Sequence, residues 1–230
     1  MDTLLLHTCC GPCSTVAVPA WRERGLEPVG WFHNPNIQPA AEVERRLESL
    51  RRYSRAAALE LVVEERPRAS ASWDAWLSGL AEASPGERCA ACLGLRLDAA
   101  AAAAARLGFG RFSTTLSVSP WQRHDLIRVA GEAGAAAHAV DFVYLDLREA
   151  YPESCAESRR LDLYRQPYCG CAASKWESWH ERAARRRARA GVVAAAPSGD
   201  ERFAPAGGDR PSQGSTGEGE TSRGAPGEGS

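Results

Sequence analysis

The sequence predicts an α/β chain in which a parallel sheet is covered by helices on both faces, and three observations carry that expectation. Leu4-Leu5-Leu6 is an apolar run without a polar partner on either side, the pattern of a strand buried on both faces. Strand-like and helix-like stretches alternate along the chain, as successive βαβ units require. Gly11-Pro12 ends the first run in a sharp turn, and that turn carries Cys9, Cys10 and Cys13. In open α/β sheets, ligands bind at the carboxyl ends of the strands, because loops there can vary while the sheet holds them in place. Three sulfurs at such an edge are candidate ligands.

The elements follow in order. Ser14 to Arg24 has helical composition and stops at Gly25, a fitting residue just past a helix end. Pro28 to His33 forms a second apolar strand and runs into Asn34-Pro35-Asn36, a turn by its chemistry. In the next helix Val43, Leu47, Leu50 and Ala57 share a stripe, and Glu42 can pair with Arg46 at four-residue spacing. Leu59 to Glu65 alternates and reads as a third strand. Trp73 to Leu80 reads as a short helix with Ser72 as its N-cap. Cys89 and Cys92 open a long Ala-rich helix that ends at Gly108. Arg111 to Thr115 is a fourth strand, Ser119-Pro120 a turn, Trp121 to Ala136 a helix, and Val140 to Leu145 a fifth strand. The last folded part is expected to be helical, to hold Tyr164 to Cys171, and to end in the Arg-dense stretch from Arg182 to Ala190.

Residues 1–190 are of a size that folds as one domain around one core. From Gly191 to Ser230 the chain is dominated by Gly, Ala, Pro, Ser, Glu and Asp with almost no large apolar residue, Phe203 being the exception. That composition buries too little surface to offset the entropy of ordering, which predicts a disordered tail. The tail is acidic, so the folded part is near about +2 although the whole chain is −1. Such a balance does not by itself argue for nucleic-acid binding. Lys175 is the one lysine, so almost all positive charge is arginine. No stretch has the length and apolarity of a membrane span, and Leu4 to Leu6 lacks a basic leader and cleavage site, which predicts a cytoplasmic protein. In a reducing compartment eight cysteines point away from a disulfide framework and towards metal or redox chemistry.

Seven of the eight lie in close groups: Cys9, Cys10 and Cys13, then Cys89 and Cys92 as CAAC, then Cys169 and Cys171 as CGC. Cys155 stands alone and reads as a small buried hydrophobe. Helix N-termini stabilise thiolates, and both Cys9/Cys10 and Cys89/Cys92 are placed to use one. Four thiolates suit structural zinc or an iron–sulfur cluster. Zinc ribbons take two matching C-x-x-C knuckles, whereas the side chains of adjacent Cys9 and Cys10 diverge, which favours a larger cluster. Cys169-Gly170-Cys171 either closes a small strained ring, the labile kind of disulfide, or joins Cys13 on a second metal.

Five separated blocks, LLLHTCCGPCS, WFHNPNIQPAAEVERR, ERCAACLGLRL, GFGRFSTTLSVSPWQRH and LYRQPYCGC, together resemble the cobalamin-independent, iron–sulfur epoxyqueuosine reductases of the QueH type over Leu4 to Ser174. The resemblance implies a Rossmann-like fold of the PP-loop (HUP) kind, here lacking a Gly-rich phosphate cradle after the first strand. It implies reduction of epoxyqueuosine to queuosine at the wobble position of tRNA, the last step of that modification, with electrons from a donor the sequence does not identify. Carried onto this chain, it makes Cys9, Cys10, Cys89 and Cys92 the ligands of a [4Fe-4S] cluster and Cys169 with Cys171 a redox-active pair. An adjacent mononuclear iron would take Cys13, Cys169 and Cys171 as ligands.

Removing an epoxide oxygen to leave an alkene takes two electrons and two protons. The candidate proton donors are His7, His33, His124, Tyr168 and Asp146, of which His7 stands out by its place beside the cysteines. Arg165, Trp31, Trp121 and the Arg182 to Arg189 patch are candidate tRNA contacts, with core packing and a solvated helix end as the competing readings. Two other functions compete: a zinc-holding, tRNA-interacting adaptor without catalysis, and a thiol oxidoreductase acting on proteins. The latter would want its C-x-x-C directly after a strand, whereas Cys89 follows the loop residues Pro85 and Gly86.

Overall fold

The computed structural model describes residues 2–64, 80 and 83–189. β1 (Asp2–His7), β2 (Leu26–Phe32), β3 (Leu61–Val63), β4 (Arg111–Thr114) and β5 (Asp141–Phe142) form a five-stranded sheet in the order β3-β2-β1-β4-β5, with every pairing parallel. The sulfur-bearing strand is therefore central. Leu4, Leu5 and Leu6 are fully buried, as an uninterrupted apolar run on a strand covered from both sides must be. Each buried Leu contributes roughly 1.5–3 kcal/mol of transfer free energy.

Among the described residues six helices connect and follow the strands: α1 (Gly11–Arg22), α2 (Ala40–Ala57), α3 (Pro85–Leu107), α4 (His124–His138), α5 (Tyr151–Arg160) and α6 (Ala172–Arg189). α1 packs on α2 and α5, while α3 packs along α4. Strand order runs outward through β2 and β3, returns to β4, then continues to β5. Right-handed crossovers put the two helix groups on opposite faces and create a switch point between β1 and β4. Ala100, Ala101, Ala103 and Ala104 of α3 are buried, so the slim Ala-rich surface lets that helix lie close to its neighbours.

Local chemistry explains the main boundaries. α3 starts at Pro85 because Ser84 and Glu87 form a capping box, each side chain bonding the other's backbone N–H. Cys89 and Cys92 therefore lie one and two turns inside the helix rather than at its start. α1 begins at Gly11, earlier than composition suggests, with Pro12 in its first turn. A Cβ on Gly11 would sit 2.6 Å from the Ser49 carbonyl oxygen, so glycine permits the close approach of α1 to α2. β5 is shorter than the apolar run from Val140 to Leu145, because only Asp141 and Phe142 find a partner on β4.

The largest departure lies between α5 and α6. Tyr164 to Cys171 are not helical but form an irregular segment, which is why Pro167 and Gly170 are tolerated there. The expected helix at Trp73 to Leu80, save Leu80 itself, and the expected tail at 191–230 lie outside the described residues. No helix among the described residues is long and apolar enough to cross a membrane.

Candidate metal and thiol site

β1 ends at His7 and α1 begins at Gly11, so Thr8, Cys9 and Cys10 carry the chain over the carboxyl edge of the sheet at its switch point. Cys10 is the extended residue before the helix, and Cys13 lies in the first turn. The three sulfurs lie within 4.8 Å of one another and all three residues are buried. The Cys9 and Cys10 sulfurs are 3.6 Å apart. Just past β4, Thr115 reaches across: its hydroxyl accepts from the Cys9 backbone N–H at 3.2 Å and donates to Cys9 Sγ at 3.5 Å. Gln166, on the irregular segment, donates from Nε2 to Cys10 Sγ at 2.9 Å.

Crowding divides the protons unevenly among these thiols. Hydrogen bonds from Cys10 and Cys13, aided by Thr115 and the Arg96 charge, hold Cys9 well below its ordinary value in spite of burial. Cys13 bonds Cys10 in the sense that favours a thiolate, yet the bond to Cys9, burial and the Cys9 charge push Cys10 up to about 12. Bonds to Cys10 and Cys9, followed by burial, raise Cys13. A second thiolate within 4.8 Å of the first is disfavoured by their repulsion and by burial. A soft cation among them reverses that balance by displacing the remaining protons.

The other two cysteine groups meet each other. Cys89 and Cys92 both feel the charges of Cys169 and Cys171, and Cys169 in turn feels Cys9. Burial pushes Cys92 up to about 12 against the favourable field of Arg96, and burial also raises Cys89, so desolvation outweighs the helix-end effect expected from sequence. The atoms packed around the Cys169 thiol raise it as well, although the residue keeps an exposed surface. Gln122 donates to Cys169 Sγ at 3.3 Å. All eight cysteines are free thiols.

The charge shared by these groups comes from Arg96, one turn beyond Cys92 on α3. It is 1% exposed, donates from Nη2 to Asn34 Oδ1 at 2.8 Å, and acts on Cys9, Cys92 and Cys169. Its Nε–H is buried with no hydrogen-bond partner. An orphaned N–H on a buried cation amid thiols is a donor waiting for an acceptor, and a bound thiolate or sulfide supplies one. The donor set thus fits a thiolate-bound metal centre. Sequence reading missed Arg96, Thr115, Gln122 and Gln166. The spacing of Arg96 four residues after Cys92, on the same face of a helix, was the available signal.

His7 fits this pocket as a neutral imidazole, since burial first, then Arg96, push it down to about 3. Its Nδ1 lies 2.8 Å from Thr114 Oγ1, which also accepts from the Leu116 N–H, leaving the hydroxyl proton to point at Nδ1. That pairing favours the tautomer with its proton on Nε2, a buried atom without a partner. The remaining proton-donor candidates are engaged elsewhere. His124 is bonded at both nitrogens, to Tyr144 Oη and the Ser119 carbonyl. Arg148 holds Asp146 down to about 2. Tyr168 Oη donates to the Gln38 carbonyl. Burial lowers His33, which stacks on Trp31.

Among the candidate RNA contacts, Trp31 is fully buried, so core packing is its role. Trp121 is 74% exposed with its edge on Tyr151. Arg165 is exposed and its Nη2 lies 3.9 Å from Cys155 Sγ. Cys155 itself is half-buried and stands outside the three-sulfur group.

The sequence profile of the family described as Epoxyqueuosine reductase QueH matches residues 4–177, which hold all eight cysteines. Among similar proteins, the "Epoxyqueuosine reductase QueH" of Dehalococcoides mccartyi is 38% identical over 174 residues, covering 76% of this chain and 93% of that protein. The proteins of the same name from Haemophilus influenzae and Thermotoga maritima are 32% and 31% identical, over 84% and 77% of this chain and 80% and 92% of their own lengths. A central strand ending in a buried sulfur knot, two further cysteine pairs that share its electrostatic field, and these matches over residues 4–177 agree, and the chain belongs to the epoxyqueuosine reductase QueH family.

Proposed function

We propose that this chain reduces epoxyqueuosine to queuosine in tRNA, acting in the cytoplasm. The observation that carries this reading is the buried Cys9, Cys10 and Cys13 knot at the sheet's switch point, with Cys169 in electrostatic reach of both Cys9 and the Cys89/Cys92 pair. In this reading Cys9, Cys10, Cys89 and Cys92 would hold a [4Fe-4S] cluster, and Cys13 with Cys169 and Cys171 would hold an adjacent iron. Bound there, the two metals would supply electrons one at a time and Lewis acidity at the epoxide oxygen. Cys169 and Cys171 can instead release two electrons and two protons by closing a disulfide, the amount needed to take an epoxide to an alkene and water.

The chain's own residues do the rest. Arg96 offsets negative charge gathered on the sulfurs, and Gln166 and Thr115 orient Cys10 and Cys9. His7 holds an N–H at Nε2 beside the cysteines, buried from bulk water, and can donate it to the departing oxygen as a hydrogen bond, with the Thr114 hydroxyl at Nδ1 able to supply the balancing proton.

Anaerobically purified, reduced protein given tRNA that carries epoxyqueuosine should yield queuosine by mass spectrometry. A brown protein with bound iron and sulfide accompanies that outcome. A colourless protein that binds zinc and leaves the nucleoside unchanged would favour the adaptor. Iron analysis of single Cys→Ser variants tests how the cysteines are shared between the two metals.

A further inference from the structure

A groove of about 490 Å³ lies on the outer side of the segment that carries Cys169 and Cys171. Tyr164, Pro167 and Tyr168 of that segment form one wall, and one stripe of α6, with Trp176 and Trp179, forms the other. Both tryptophans are 56% exposed although each is large and apolar. Trp176 leans on His180 with ring centroids 3.9 Å apart, so these rings are held as a platform rather than left free. A solvent-facing shelf of aromatic rings is costly unless something stacks on it.

Charge identifies what stacks. The groove lining also contains Arg45, Lys175 and Arg182, against Glu42 as its one carboxylate. Glu42 is already neutralised, bonded to the buried Arg46 at 2.8 Å and to Tyr164 Oη at 2.8 Å. Along α6 the two acidic residues are also engaged, Glu177 with Arg88 and Glu181 with Arg185, while Arg186, Arg187 and Arg189 continue the basic surface beyond the groove. Cations tracking a row of aromatic faces are the arrangement that binds a single-stranded nucleic acid, phosphates on the cations and bases on the rings. An acidic electron-donating protein would also meet these cations, but the exposed faces of Trp176 and Trp179 beside them suit bases and so favour a nucleic acid.

The geometry points to this groove as a stacking site for unpaired anticodon-loop nucleotides flanking the modified one, with Trp176 and Trp179 as the base platforms and Arg45, Lys175 and Arg182 as the phosphate contacts. This rests on the reductase reading, because the groove wall is the segment whose next residues are the reactive thiols. Tyr168 and Ala172, both in the groove lining, flank Cys169 and Cys171 in the chain, so a nucleotide stacked there lies beside the segment that carries the thiols.

The test uses full-length protein and a synthetic, unmodified anticodon stem-loop RNA, so that binding is read without chemistry. Titration should quench tryptophan emission, and Trp176→Ala with Trp179→Ala together should weaken binding by about tenfold or more, since base stacking on an aromatic ring is lost. Trp176→Phe with Trp179→Phe should retain most of the affinity. Lys175→Glu with Arg182→Glu should flatten the dependence of affinity on salt by about two phosphate contacts. Unchanged RNA affinity in the double-alanine variant would overturn the inference. So would sedimentation showing that wild-type protein is a dimer and the variant a monomer, which would give the groove to a second copy, or loss of binding to an acidic electron-donor protein with RNA affinity intact. Wild-type protein that binds the stem-loop through these residues but leaves epoxyqueuosine in tRNA untouched would remove the reductase reading alone.

Discussion

The two sulfur-bearing regions are built in opposite ways. Cys9, Cys10 and Cys13 are neighbours in sequence, run from the end of the central strand into the first turn of α1, and are buried among core residues. Cys169 and Cys171 sit on an irregular segment whose main chain is suspended from other elements. Arg46 donates to the Cys169 and Tyr168 carbonyls at 2.8 and 3.0 Å, Gln38 N donates to the Gly170 carbonyl at 2.9 Å, and Ser49 Oγ donates to the Tyr164 carbonyl at 3.3 Å. The first region gets its geometry from packing, and the second from a few polar bonds to α2 and the turn before it. Ligands that must stay put suit the former, and thiols that must change partner suit the latter, because few bonds need to break for the segment to shift.

Breaking the buried region should have the largest effect. Cys10→Ser should abolish bound iron and turnover together, because hard oxygen replaces a soft ligand, whereas Cys155→Ser should leave both near wild type. Iron and sulfide analysis with a single-turnover assay checks this, and full iron content in Cys10→Ser would refute it. Next, His7→Gln separates metal holding from proton handling: iron content stays, while turnover falls by about 10²–10⁴-fold, the usual worth of a placed proton donor. Unchanged turnover would strike His7 from the chemistry.

The suspended region breaks at its anchor. Arg46→Ala strands Glu42 without its buried cation and should cost about 3–5 kcal/mol in chemical denaturation. Replacing both residues, as Glu42→Gln with Arg46→Met, should recover part of that stability but not the position of Cys169, so turnover remains low. The smallest effect is expected at the hinge. Gly170 has φ of +149°, and a Cβ there would meet Asn36 Nδ2 at 2.9 Å. Gly170→Ala should therefore cost about 1–3 kcal/mol and slow turnover with iron content intact. Parallel loss of iron would show that the two regions are not separable.

Much of this could be read from sequence. The strands, the switch-point turn and the Glu42–Arg46 pair follow from local pattern, and the five blocks of similarity gave the family. The exceptions are instructive. Tyr164 to Cys171 was expected to be helical, yet its backbone groups find partners on Arg46, Ser49 and Gln38, residues more than a hundred positions away. Cys89 and Cys92 were expected to gain acidity from a helix end, but the capping box starts the helix a turn earlier and burial dominates.

What the sequence determined by itself is the kind of structure and the chemistry available: a Leu-rich central strand, sulfurs at its carboxyl end, and three cysteine groups at local spacings that any metal or redox reading must use. Tertiary structure alone decided that Trp31 is buried while Trp176 and Trp179 face solvent, that Arg96 brings its charge to thiols from three parts of the chain, and that the CGC thiols hang from α2. The reason is that hydrophobic periodicity and turn chemistry act over a few residues, whereas the burial of a tryptophan or the field of an arginine depends on which distant segments pack around it.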